Sequence, residues 1–202
     1  MVFTDLSSWV SSTGGVDASD SFETGVPFAL LTELDRDDFT VVADLGTTST
    51  GSIFRSGSAA TDGTVGLQTG ALQAQLGKRT TFELDGGFDG FGFDFDPFGF
   101  DNNPPIGLTL TVDFLSNGVE QNFNANFTIP AGFSFIGVGV GPGESLVRVG
   151  FETSEGGTGT ANFDFVRLSN ATASSVVPEP ASLALLAAGV TGVAVLRRRR
   201  GA

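Results

Sequence analysis

The residues best placed for chemistry are carboxylates set among phenylalanines. In the run from Asp85 to Asn103, Phe91, Phe93 and Phe95 alternate with Gly92, Asp94 and Asp96. A period of two predicts a strand, with Asp94 and Asp96 on one face and their carboxylates about 7 Å apart. That separation lies within the range used by paired glycosidase carboxylates. It also suits two oxygen ligands converging on calcium. A plainer alternative is a sandwich strand that shows its acids to water and its Phe to the core. The rest of the composition narrows the chemistry. The chain has no Cys, His or Tyr, which excludes disulfides, zinc sites built on Cys or His, and Ser-His-Asp or Cys-His catalysis. The spacing of the acids does not match an EF-hand loop.

The elements that would hold these acids are predicted to be strands. Phe39–Asp44, Ser52–Arg55, Thr64–Gln68 and Thr80–Leu84 are β-branched or aromatic segments between Gly, Ser and Thr turns. Ile106, Leu108, Leu110, Val112 and Phe114 share one face against Thr109, Thr111 and Asp113. Phe123–Ile129, Phe133–Val140, Val147–Phe151 and Phe163–Leu168 follow. Turn residues separate them at Asn102–Pro105, Ser116–Gly118, Pro130–Gly132, Gly141–Gly143 and Glu155–Gly157. About ten short strands so spaced predict an all-β fold, an antiparallel β-sandwich of jelly-roll type, over residues 1–168. Residues 1–38 are weakly patterned, with Phe22, Val26, Phe28, Leu30 and Leu31 expected around a turn at Gly25. Gln68–Leu76 is the one body segment with helical character, and Lys78–Arg79 is expected in a turn beside Thr80. Trp9, the single Trp, is expected to pack the N-terminal segment. One Trp and no Tyr argue mildly against a sugar-stacking platform.

Charge sets the class of partner. The formal net charge is −13. Ahead of Val177 lie 22 acidic and only 6 basic residues, so the body carries −16. Such a body repels nucleic acid and anionic lipid, and nucleic-acid partners are excluded on that ground. By analogy with calcium-stabilised jelly-roll carbohydrate-binding modules, which pair an acid near the first strand with one on the last, Glu23 and Asp164 become candidate calcium ligands beside Asp94 and Asp96. Asp164 sits between Phe163 and Phe165. Facing inward it would need a cation or several N–H donors; facing outward it would be solvated.

The C-terminal region differs in kind. Residues 169–177 (SNATASSVV) read as a short flexible linker. Pro178, Glu179 and Pro180 follow, then Ala181–Leu196 without a charge, then Arg197, Arg198, Arg199 and Arg200. As a helix the uncharged run would be about 24 Å long, just short of a bilayer core of about 30 Å, and arginine side chains extend its reach by snorkelling. It is apolar on every side, unlike the one-sided stripe of a surface helix. A transmembrane helix over 181–196 is therefore predicted, with Arg197–Arg200 cytoplasmic and the acidic body outside. The two prolines, each without an N–H, keep Glu179 in an extended segment at the outer surface.

Together these three parts, residues 178–202, resemble the PEP-CTERM sorting signal of bacterial secreted proteins, a tail also known as an ice-binding protein C-terminal domain. The resemblance implies recognition of Pro178–Pro180 by an exosortase, a membrane-embedded peptidase that removes the helix. It also implies a precursor in the cell membrane and a product at the cell surface or in an exopolysaccharide matrix or biofilm. Met1–Leu6 shows neither a basic n-region nor an apolar h-region, so export calls for a signal upstream of Met1, which is the favoured expectation, or for a different route. The alternative is a tail-anchored protein with a cytosolic body, which would move four arginines across the membrane. The body has no flat Thr-x-Thr array of the kind ice binding would need. The leading expectation is a non-enzymatic surface protein with a structural or adhesive role, with exopolysaccharide as a partner. The alternative is a calcium-dependent carbohydrate-binding module on the same scaffold. A polysaccharide hydrolase built on Asp94 and Asp96 stands third.

Overall fold

Phenylalanine rings from two facing sheets hold the molecule together. The computed structural model describes residues 1–25, 31–44, 53–56, 66–69, 79–96, 106–130, 132, 134–153 and 161–170. The chain separates into two units, Met1–Ala171 and Thr172–Ala202. The expected transmembrane helix, its prolines and its arginines lie outside the described residues, as do residues 70–76 of the expected helical segment, Lys78, and the Asn102–Pro105 and Glu155–Gly157 turns. No helix among the described residues is long and apolar enough to cross a membrane.

Among the described residues, thirteen strands and one helix occur in the order β1 (Val2–Phe3), α1 (Leu6–Thr13), β2 (Ala18–Asp20), β3 (Glu33–Asp35), β4 (Phe39–Asp44), β5 (Ile53–Ser56), β6 (Gly66–Thr69), β7 (Arg79–Leu84), β8 (Gly90–Asp96), β9 (Ile106–Ser116), β10 (Val119–Ile129), β11 (Ser134–Gly139), β12 (Glu144–Thr153) and β13 (Ala161–Ser169). Sheet A runs β1-β11-β8-β13-β6-β5, with β2 also paired to β13; sheet B runs β10-β9-β12-β7-β4-β3. Every paired neighbour is antiparallel. All ten expected strands are present. Sequence reasoning missed β1, β2, β3 and α1, which are short and leave little room for a repeat. Ser169, expected to open the linker, instead closes β13, is fully buried, and its hydroxyl donates to the Thr13 carbonyl at 2.6 Å.

Alternation explains the core. Phe91, Phe93 and Phe95 of β8 and Phe163 of β13 face inward from sheet A; Phe82 of β7 and Phe151 of β12 face them from sheet B, all at 1% exposure or less. Phe82 lies 5.1 Å from Phe91, 6.1 Å from Phe93, 5.8 Å from Phe151 and 5.7 Å from Phe163, mostly tilted or edge-on. Such ring pairs add about 0.5–1.5 kcal/mol each beyond their area. The longest hairpin, β9–β10, turns at Asn117 and Gly118, with φ of 54° and 76°. Two consecutive positive φ values are what a tight hairpin turn demands, and Asn-Gly supplies them at least steric cost.

Candidate functional site

The outer face of sheet B carries a groove of about 580 Å³ lined by Val42, Ala43, Arg79, Thr81, Glu83, Asp113 and Arg148. Its residues come from four neighbouring strands brought into register. Arg148 of β12 stands opposite Glu83 of β7 and Asp113 of β9, and Gly150 stands opposite Thr81 and Thr111. A one-residue bulge at Val147 resets β12, so that Arg148 points outward while Val149 and Phe151 enter the core. Gly150 lies beside two of the lining residues. A methyl group there would meet Thr81 Oγ1 at 3.3 Å and Arg79 Cδ at 3.4 Å, so any side chain would begin to fill the groove.

Charge alternates across this face. The Arg148 guanidinium pairs with Asp113 through Nε and with Glu120 through Nη2 at 2.6 Å. Those two carboxylates raise its pKa further, so it is a permanent cation with two fixed acceptors. Thr109 Oγ1 donates to Asn126 Oδ1 at 2.9 Å on the same surface. Arg79, expected in a turn, is instead the first residue of β7 and lines the groove, opposite Asp44 of β4. Sequence reasoning missed Arg79 and Arg148 as site residues. Scarcity was the available signal: they are two of only six basic residues ahead of Val177.

The outer face of sheet A holds the acids that the sequence singled out. Asp94 and Asp96 share that face of β8, because Phe93 and Phe95 occupy the core face. Asp94 is opposite Asp164 and Asp96 is opposite Asn162 in β13. Past Asp164 the register shifts by one residue, and Phe165 adopts φ of 46°. Without that bulge Asp164 and Arg167 would fall on opposite faces and one would enter the Phe core. With it both face outward. Arg167 then forks onto Asp94, with Nη1 3.3 Å from Oδ1 and Nη2 3.1 Å from Oδ2, and also donates to the Phe165 carbonyl at 2.9 Å. Its guanidinium lies 4.1 Å from the Phe165 ring centroid and 5.7 Å from that of Phe135.

This second face is closed. Trp9, on α1, is fully buried over Gly92 and Gly137, and its Nε1 donates to the Val138 carbonyl at 2.9 Å. A methyl group at Gly137 would come within 2.6 Å of Trp9 Cδ1, and one at Gly92 within 2.7 Å of Phe135 Cζ. Helix α1 starts on Asp5, whose carboxylate accepts the Ser8 N–H at 2.8 Å, and stops at Gly14, φ 86°. Trp9 therefore packs as expected and offers no ring to a ligand. Asp164 faces outward yet is fully buried, and accepts the Phe165 N–H at 2.9 Å. Asp96 is half-buried, and desolvation pushes its carboxyl pKa up against the opposing effect of the Asn162 side chain and the Gly132 N–H.

The candidate calcium ligands are distributed over this face. Asp94 has its positive charge from Arg167. The β2 register, Ser19 with Arg167 and Asp20 with Val166, sends the chain toward the Asp164 end of β13, and Glu23 follows three residues later. No group of three or more acidic side chains gathers as a metal cluster among the described residues.

Residues 176–200 match the PEP-CTERM protein-sorting motif. Pro178, Glu179, Pro180 and Arg197–Arg200 thus lie in a sorting signal, which implies an exosortase-processed precursor whose product reaches the cell surface or the exterior. No curated protein matches the chain. Among solved structures, the chain is similar to the CBM22-1–GH10 modules of the Clostridium thermocellum N-terminal endo-1,4-beta-D-xylanase 10B. The identity is 17% and the TM-score 0.51, over 77% of this chain and 29% of that one. It is also similar to the CBM22-1 xylan-binding domain from Paenibacillus barcinonensis Xyn10C, at 17% identity and TM-score 0.50, over 77% of this chain and 95% of that one. These likenesses are of fold: two antiparallel sheets stacked as in carbohydrate-binding β-sandwich modules.

Proposed function

We propose that this chain is an exported, exosortase-processed surface protein whose jelly-roll sandwich binds polysaccharide, without catalysis, in the groove of sheet B. The observation that carries the reading is the groove itself: two of six body cations, two carboxylates and a threonine line it, and Glu120 pairs with one of those cations. Guanidinium forks donate to pairs of hydroxyl oxygens and carboxylates accept from hydroxyl hydrogens, which is the donor and acceptor array a sugar ring presents. Aromatic stacking plays no part, since the groove lining contains no aromatic side chain. The fold shared with a xylan-binding domain supports polysaccharide as the ligand class. The non-enzymatic reading is supported by Asp94, one of the two candidate catalytic acids, being held by a bidentate arginine. Sorting at the Pro178–Pro180 triplet, a membrane helix over 181–196 and delivery to an exopolysaccharide matrix complete the proposal.

The test is binding of the full chain in detergent to a polysaccharide array that includes xylan. Retention of at least one polysaccharide is expected, weakened about tenfold by Arg79→Ala and by Arg148→Ala, the loss of one charged hydrogen-bond donor set. A silent array, or retention indifferent to both substitutions, would overturn the groove. Localisation has its own test: protease added to intact cells should degrade the sandwich.

A calcium-stabilised version of the same module is favoured by one observation, the complete burial of Asp164 at the end of β13 toward which β2 leads Glu23. Glu23 and Asp164 are the residues that would hold the ion. Calcium should then raise the melting temperature over that in EDTA, in Asp94→Asn as in the parent but not in Asp164→Asn. Equal melting with calcium and with EDTA in the parent chain would remove the ion from the account.

A further inference from the structure

Among the described residues, sheet B ends in a strand that lacks the protections found on the other edges. β10 is 11 residues long and pairs with β9 without a break from Val119–Ser116 to Ile129–Ile106. It contains no proline, no lysine and no bulge, and its only charge is Glu120, near one end. The opposite edge of sheet B, β3, is three residues long with two acids. The edges of sheet A are β1, of two residues, and β5, of four residues with an arginine. Short length and inward or flanking charge are the usual means of keeping an edge from pairing with another chain; β10 is long, and its one charge, Glu120, leaves residues 121–129 without any.

Its two faces also look unfinished. Asn122, Asn124 and Asn126 are exposed on the outer side, while Phe123, Ala125 and Phe127 pack on the core yet remain half-exposed. Val119, at the tip, is 61% exposed. A strand laid against β10 would cover the open flank of Phe123 and Phe127 and satisfy the outward backbone groups.

We infer that β10 is a self-association edge, and that its partner is β10 of a second copy, antiparallel about Asn124. The sequence is suited to that symmetry. Asn124 falls opposite its own equivalent, Asn122 opposite Asn126, and Phe123 opposite Ala125, so a large ring meets a small side chain on the core side. Glu120 falls opposite Thr128, which keeps the two like charges apart. The two-fold axis stands perpendicular to the sheet, so both copies present the same outer face. If the groove binds polysaccharide as proposed above, the pair carries two sites on one surface and gains avidity from them. The body's −16 charge opposes the approach, so association strengthens as salt screens it.

The chain has no cysteine, so one introduced thiol is an unambiguous reporter. In the full chain, held in detergent micelles, Asn124→Cys should form a disulfide-linked dimer under mild oxidation. Asn122→Cys mixed with Asn126→Cys should give the mixed dimer in preference to either homodimer. Thr40→Cys, on the far side of the sheet, should give neither. Asn124→Lys sets two like charges face to face at an exposed position and should weaken the dimer at least about tenfold by sedimentation. Pairing through the hydrophobic tail would be unchanged by Asn124→Lys and blind to cysteine position, and that result would overturn the inference. So would a chain that sediments as a monomer at low and high salt.

Discussion

The two outer faces of the sandwich use the same residue types for different ends. On sheet A, Arg167 packs against the Phe135 and Phe165 rings and pairs with Asp94, with side-chain exposures of 9% and 18%. On sheet B, Arg148 and Glu120 are open to water at 43% and 51% exposure, while Asp113, at 15%, is as covered as Asp94; the contrast lies in the arginine and its second partner. A desolvated pair cannot be broken cheaply, because the partner left behind is a buried charge. A solvated pair is worth little to stability and can exchange its hydrogen bonds with a ligand. The acids that stand out in the sequence therefore belong to the structural face, and the arginines that do not stand out belong to the open one.

The largest effect that would break this contrast is at the roof of sheet A. Trp9→Ala should cost about 3–5 kcal/mol, a fall in melting temperature of about 10 °C or more by calorimetry, with polysaccharide binding intact below that temperature. Arg167→Met should cost about 3 kcal/mol in denaturant unfolding, and much of that should return in the double variant Arg167→Met/Asp94→Leu, since the stranded carboxylate is removed with its partner. If the single variant unfolds like the parent, the pair is not structural. Arg148→Gln, on the other face, should change stability by less than about 1 kcal/mol while weakening polysaccharide binding. A reversal of those two sensitivities would exchange the roles of the faces.

The smallest effect is one of pH. Burial raises the Asp96 pKa in the folded chain, so the native state holds this proton more tightly than the unfolded one. The contribution of Asp96 is then fully favourable below the unfolded carboxyl pKa, and is lost as pH rises through the raised folded value. Asp96→Asn should raise the melting temperature at neutral pH by about 1–2 °C and reduce the acid-side dependence; an unchanged pH profile would show that Asp96 is solvated.

Much of the fold was legible because strand patterning is local. The alternation of Phe91, Phe93 and Phe95 with Gly92, Asp94 and Asp96 fixes which side chains share a face, whatever β8 pairs with. The Asn117–Gly118 turn fixes a hairpin in the same way. Helix α1 was legible only in its ends: Asp5 and Gly14 are ordinary caps, but eight residues carry too little periodicity to declare a helix between them. The candidate site was the least legible part. Arg79 and Arg148 are 69 positions apart and line one groove only because β12 lies beside β7.

By itself, then, the sequence determined the β class, the Phe-filled core, the acidic body and the sorting signal, since each follows from composition or from spacing within about twenty residues. Tertiary structure alone decided which charges are buried and which are open. Strand order settled that Arg148 and Arg79 line one groove. The bulges at Val147 and at Phe165 settled which way Arg148, Asp164 and Arg167 face. A single inserted residue inverts every side chain that follows it, and only the neighbouring strand reveals where the insertion lies.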